Sequence, residues 1–140
     1  MKHYFLKYAK MFYMKLNTSQ KGSFGEDLAL SYLKRHSYKL LDRNFRSKHG
    51  EIDLIMEKSG KISFFEVKSV SRETFSSKVT RETFDPADNM HEKKLKNLVQ
   101  AINHYISLHH LKPDDFKLFL ITVEYSKKDR KAHFKLYPII

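Results

Sequence analysis

The chain has 140 residues, with 27 Lys and Arg against 16 Asp and Glu, a formal net charge of +11. That length suits one domain able to bury about two-thirds of its unfolded surface. With 41% hydrophobic residues, four Gly and three Pro, the composition excludes a disordered or collagen-like chain, and the absence of Cys excludes a disulfide framework, a thiolate zinc site and a Cys nucleophile.

The basic excess suits a polyanionic partner, nucleic acid or a membrane surface. It is uneven: residues 1–48 hold 11 Lys and Arg against 3 Asp and Glu. No apolar run approaches the roughly 20 residues that span a bilayer, so a cytoplasmic protein without stable membrane association is expected. Residues 1–21 carry five lysines and no acid, and Lys2, Lys7, Lys10 and Lys15 interrupt every apolar stretch, which leaves no signal-peptide core. This segment reads as a basic, frayed N-terminal extension. A short amphipathic helix through Phe5, Tyr8 and Phe12 is the alternative.

Residues 22–140 read as a single domain. Ser23 and Glu26 have capping-box spacing, and Leu28, Ala29, Tyr32 and Leu33 form the apolar face of a helix reaching about His36. Strands are expected near 38–46, 50–57 and 61–69. The polar stretch 71–88 reads as a long mobile loop. A second helix is expected over about 90–110, opened by Asn89 and Glu92, with Leu95, Leu98, Val99, Ile102, Ile106 and His109 on its apolar stripe. Strands near 116–125 and 131–138 complete the order αβββαββ, an α/β fold with helices on a mixed sheet.

Residues 50–69, GEIDLIMEKSGKISFFEVKS, carry the chemistry. Ser59-Gly60 between two β-prone runs predicts a two-residue hairpin loop. Residues whose numbers sum to 119 then pair, setting Asp53 opposite Glu66 and Glu51 opposite Lys68 on one face, with Ile52–Val67 and Leu54–Phe65 on the other. Directly opposed Cβ atoms lie about 5 Å apart, where like charges repel. The repulsion is relieved by protonating one carboxyl or by a cation between the two. Hard oxygen ligands suit Mg²⁺ or Mn²⁺, and Lys68 would point at the same place. An exposed hairpin with an ordinary Glu51–Lys68 ion pair is the plainer alternative, but Ile55 and Phe64 on the charged face argue for a covered surface.

Asp53-x12-Glu66-x-Lys68 is similar to the PD-(D/E)xK signature of restriction-endonuclease-like nucleases. The wider string is Gly22-x2-Gly25-Glu26-x2-Ala29-x2-Tyr32-Leu33, Asn44-Phe45-Arg46, Gly50-Glu51-Ile52-Asp53-Leu54-Ile55 and Phe65-Glu66-Val67-Lys68. It resembles the YraN-like family of predicted endonucleases, itself similar to Holliday-junction resolvases. That resemblance implies a restriction-endonuclease-like fold and a Mg²⁺- or Mn²⁺-dependent endonuclease acting on DNA, branched or junction DNA included. On the matching positions Asp53 and Glu66 would be metal ligands and catalytic, Lys68 the catalytic lysine and Glu26 a third acidic ligand. Where the family has Thr-Arg after the motif lysine, this chain has Ser69-Val70. Arg43, Arg46, Lys48 and Lys93 are candidate phosphate contacts, and resolvase-like activity would favour a homodimer. The alternative is a non-catalytic nucleic-acid-binding module on the same fold.

Overall fold

The computed structural model describes residues 2–5, 24–75, 92–112 and 116–139. The elements are β1 (Lys2–Phe5), α1 (Phe24–Arg35), β2 (Lys39–Ser47), β3 (Gly50–Lys58), β4 (Lys61–Ser71), α2 (Glu92–Leu108), β5 (Phe116–Ser126) and β6 (Lys131–Pro138). They build one six-stranded sheet in the order β1-β6-β5-β4-β3-β2. Only β4 and β5 pair in parallel, since α2 lies in the connection between them; the other pairs are antiparallel.

The helices cover opposite faces. From α1, Phe24, Leu28, Ala29, Tyr32 and Leu33 pack on Leu54, Met56, Phe65, Ile121, Val123 and Phe134. From α2, Leu98, Ala101, Ile102, Tyr105 and Ile106 pack on Ile52, Ile55, Phe64 and Leu118. Neighbours such as Leu54 and Ile55, or Phe64 and Phe65, belong to opposite cores, as strand alternation requires. β5 is buried on both faces, which is why its sequence LFLITV reads as an apolar run interrupted only by Thr122.

The expected order αβββαββ is present, with one strand more. Lys2–Phe5 is neither frayed nor helical but pairs with β6, from Lys2–Phe134 to Phe5–Lys131. The edge of β6 carries unpaired backbone donors and acceptors that an additional strand satisfies. Tyr8 and Phe12 lie outside the described residues, as do Ser23 and Asn89 of the two expected capping boxes.

Two further boundaries differ from expectation. Residues 71–75 are held in place rather than mobile: Arg72 N–H donates to the Tyr125 carbonyl, and its guanidinium pairs with Glu124 at 3.0 Å. Ser126 Oγ donates to the Glu73 carbonyl, while Thr74 Oγ1 and the Phe75 N–H donate to Asp129. Such long-range partners leave no trace in local polarity. Residues 76–88 lie outside the described residues. His109 follows the end of α2 and is exposed against Tyr105, not part of the buried stripe.

Gly25 lets α1 approach the sheet. A Cβ there would collide with the Ser69 side chain on β4. Gly25→Ala is therefore expected to cost about 1–3 kcal/mol by forcing α1 outward, measured by urea denaturation at unchanged m. A loss below about 0.5 kcal/mol would show that Ser69 gives way freely.

Candidate functional site

The Ser59-Gly60 loop forms as expected, both residues having positive φ (54° and 76°), the requirement of a type I′ turn. The register is also as expected from Lys58–Lys61 through Leu54–Phe65. There the ladder stops. The Asp53 carboxylate, not its backbone, makes the next contact: Oδ2 accepts the Val67 N–H at 2.7 Å.

The same break runs through β2. Its pairing with β3 includes Arg43–Leu54 and Phe45–Ile52 but skips Asn44 and Asp53. Asn44 has φ of 52°, in the left-handed region, where asparagine is one of the few tolerated side chains. This kink reverses the alternation. Ile52 packs with Ile55 in the α2-side core, whereas the ideal register places it on the Leu54 face. The parity count fails at that position because it assumes an unbroken pleat. Glu51 accordingly does not stand against Lys68 but pairs with Arg46 at 3.6 Å.

Four carboxylates from three elements gather at the split. Asp53 is held mainly by burial, then by the nearby Glu66, well above the usual carboxylate range, up to about 8; the Val67 N–H works in the other direction. Glu26 and Glu51 add to the repulsion. Burial likewise raises Glu26, with Arg43 opposing it. The Asn44 amide, with its nitrogen turned toward them, donates to Glu26 Oε2 at 3.0 Å and to Glu51 Oε1 at 3.3 Å. Glu66, with 14% of its side chain exposed, receives the Lys94 ammonium at 2.7 Å. Lys94 reaches it from the first turns of α2.

Three of these carboxylates line a cleft of about 540 Å³. Glu51, Asp53 and Glu66 face Lys93, Lys94 and Asn97 of α2, with His49 and Gly50 from the β2–β3 turn. An acidic floor meets a basic wall. Of the residues singled out from sequence, the cleft brings together Asp53, Glu66 and Lys93; Glu26 touches the cluster through Asn44. Lys68 is exposed on β4 and is not among the lining residues. Arg46 and Lys48 are exposed beside the β2–β3 turn, and Arg43 is turned inward onto Asp27 and Glu26 of α1. Asn44, Asp27 and Lys94 were not assigned to the cluster from sequence. The motif string contains Asn44, yet no periodicity marks a left-handed residue inside a strand.

The donor set can be tested against a divalent cation. Among the described residues no three His, Asp or Glu side chains converge into a ready-made cage. Mg²⁺ does not need one, because it commonly keeps several waters and takes one or two carboxylates plus substrate phosphate. Two mutually repelling carboxylates in a partly dry cleft, with all-oxygen chemistry, fit that pattern.

An acidic cleft cut into a mixed sheet between two helices, in the order αβββαββ from α1 onward, defines an α/β protein with a candidate polar site. Residues 25–130 match the family model described as "Uncharacterised protein family UPF0102". A UPF0102 protein of a Sulfurihydrogenibium species is 34% identical over 109 residues, 78% of this chain and 88% of the relative. One from Clostridioides difficile is 33% identical over 108 residues, covering 77% and 88%. One from Helicobacter hepaticus is 35% identical over 94 residues, covering 67% and 76%. The chain belongs to the UPF0102 family, the YraN-like group. Among solved structures, Pyrococcus furiosus SfsA in complex with Ca²⁺ is similar over 85% of this chain and 63% of that one, at 12% identity and a TM-score of 0.38. Among the described residues no helix is long and apolar enough to cross a membrane.

Proposed function

We propose that the protein is a Mg²⁺- or Mn²⁺-dependent endonuclease that hydrolyses phosphodiester bonds in DNA, branched and junction DNA included. The observation that carries this reading is the placement of half-buried Asp53 beside Glu66 in the cleft, with Glu51 lining it and Glu26 near, inside a chain of net charge +11. A protein that only binds DNA gains nothing from repelling carboxylates in its cleft. A cation relieves that repulsion.

Asp53 and Glu66 would hold the metal, with Glu26 as the third acidic group reached across the strand split. When bound, such a metal supplies Lewis acidity toward the phosphate and lowers the pKa of bound water. The remaining work belongs to the chain. Lys93 and Asn97 on the α2 wall face the place where phosphate oxygens would lie. Arg46 and Lys48, exposed at the neighbouring turn, extend the basic surface along the backbone of the nucleic acid. Lys68, exposed on β4 two residues beyond Glu66 and outside the cleft lining, would offset negative charge developing on a scissile phosphate that extends past the cleft rim. The site belongs to a cytoplasmic enzyme, paired as a homodimer where it acts on junctions.

The test is cleavage of branched, flapped and linear DNA with Mg²⁺ or Mn²⁺, wild type against Asp53→Ala and Lys68→Ala. Each substitution is expected to lower the rate by about 100-fold or more. Metal-dependent cutting equally strong in both variants would locate the activity elsewhere. One contact favours a second reading: the Lys94 ammonium already neutralises Glu66. Tight binding without cutting, on every substrate and with either metal, would support a non-catalytic binding module.

A further inference from the structure

Arg43 is a phosphate candidate by type and by sequence neighbourhood, yet its guanidinium is occupied on the protein's own side. One terminal nitrogen lies 2.5 Å from Asp27 Oδ1 and 3.7 Å from Glu26 Oε2, consecutive acids in the first turn of α1. The side chain is 28% exposed, and its Nε is buried without a partner. A basic group meant to meet a solvated phosphate has no reason to be held in this way.

The backbone explains the orientation. A bulge between Leu40 and Asp42 and the left-handed Asn44 bracket Arg43, so that Arg43 points toward α1 while Phe45, two residues on, packs on the α2 side. Asn44 sits at the seam between the faces and ties Glu26 to Glu51 through its amide. Glu26 thus has the Asn44 amide as a donor and the Arg43 guanidinium as an ion-pair partner at 3.7 Å, and Glu51 shares the amide.

We infer that Arg43 and Asn44 are positioning residues of the acidic cluster: they hold Glu26 and Glu51 toward Asp53, and neither contacts nucleic acid. This rests on the cation site proposed above. Partners of this kind order metal ligands, and their loss typically weakens metal affinity by about 10–100-fold.

The experiment titrates Mn²⁺ calorimetrically into wild type, Arg43→Lys, Arg43→Met and Asn44→Gly, with folding checked by circular dichroism. Arg43→Lys keeps the charge and removes the planar fork, so only geometry changes. Asn44→Gly keeps the left-handed backbone accessible and removes only the amide. Affinity for Mn²⁺ is expected to fall about tenfold or more in Arg43→Lys and Asn44→Gly. Arg43→Met should weaken it at least as much, with lysine a partial rescue. If Arg43 served only as a competing positive charge, Arg43→Met would bind Mn²⁺ more tightly, and that outcome overturns the inference.

A second readout separates positioning from DNA contact. In metal-free buffer, the dependence of DNA affinity on salt should keep the wild-type slope in Arg43→Lys and Arg43→Met. A slope smaller by about one in Arg43→Met would mark a lost phosphate contact and overturn the assignment. Wild type that binds no Mn²⁺ would overturn the cation site and this inference with it. Wild type that binds Mn²⁺, with unchanged affinity in the variants, would overturn this inference alone.

Discussion

Asp53→Asn is expected to raise the thermal midpoint of the metal-free protein at pH 8 and to abolish the further rise that Mg²⁺ gives the wild type. The wild-type carboxyl is displaced from 3.8 to about 8 by burial and by Glu66. A carboxyl raised on folding contributes its stabilisation fully below its unfolded value, near pH 4, and loses it as pH climbs toward 8. The asparagine carries no such penalty, and its carbonyl oxygen can still accept the Val67 N–H. If a third of the displacement reaches the folding free energy, the gain is about 2 kcal/mol at pH 8, or about 5 °C for a domain of this size. Near pH 4 the two proteins should melt together.

Differential scanning calorimetry over pH 4–8, with and without Mg²⁺, provides the check. A midpoint for Asp53→Asn at or below wild type at pH 8 would mean that the cleft is wet enough to screen the charge. Equal stabilisation of both proteins by Mg²⁺ would mean that Asp53 is not a ligand. The same substitution should also remove cleavage, so gain of stability and loss of function would coincide, the pattern of a site held together at a cost to the fold.

Phe65→Ala is expected to give the largest loss of stability, about 3–5 kcal/mol, with the urea midpoint falling and m unchanged. Phe65 is fully buried, meets Tyr38 edge-on at 5.4 Å and stacks on Phe119 at 5.3 Å. It is also the last register partner on β4 before the ladder opens at Glu66. The cavity would open in the α1-side core, across the sheet from the α2 wall of the cleft. A loss below about 1.5 kcal/mol would show that α1 collapses onto the void.

These two residues mark the boundary of what could be read from the chain alone. Phe65 and its partner Leu54 follow from a dipeptide, Ser59-Gly60, and from strict alternation on either side of it. The faces of both helices follow in the same way from their periodicity: all four residues named for α1 are buried, and Leu98, Ile102 and Ile106 of α2 are as well. Asp53 could be found as a member of a motif, and Glu66 as its partner, but not in the arrangement they adopt. The ideal register makes them a cross-strand pair; in the fold, the ladder is already broken and the Asp53 carboxylate holds the Val67 N–H.

Residues whose partners follow from regular spacing were legible, and those whose partners are set by a kink or by a distant element were not. Lys94 meets Glu66 from 28 positions away, and Arg43 meets Asp27 across the gap between α1 and β2. The pinning of residues 71–75 by Glu124, Ser126 and Asp129 is of the same kind. A basic residue in a loop or on a helix has the same sequence appearance whether it faces solvent, phosphate or a carboxylate, because charge type does not encode direction.

The sequence by itself therefore determined the hairpin, the two helix faces, the order αβββαββ and the acidic pair at Asp53 and Glu66, because each depends on spacing along one or two neighbouring elements. Only the tertiary structure decided that Asn44 takes a left-handed conformation, that the sheet splits there, and that the split admits Glu26 to the cluster. A kink reverses the parity of every residue beyond it, and its cause is a set of contacts between α1, β2 and β3 that no single segment contains. The charge of +11 is a property of composition; its division into an acidic floor and a basic wall is a property of packing.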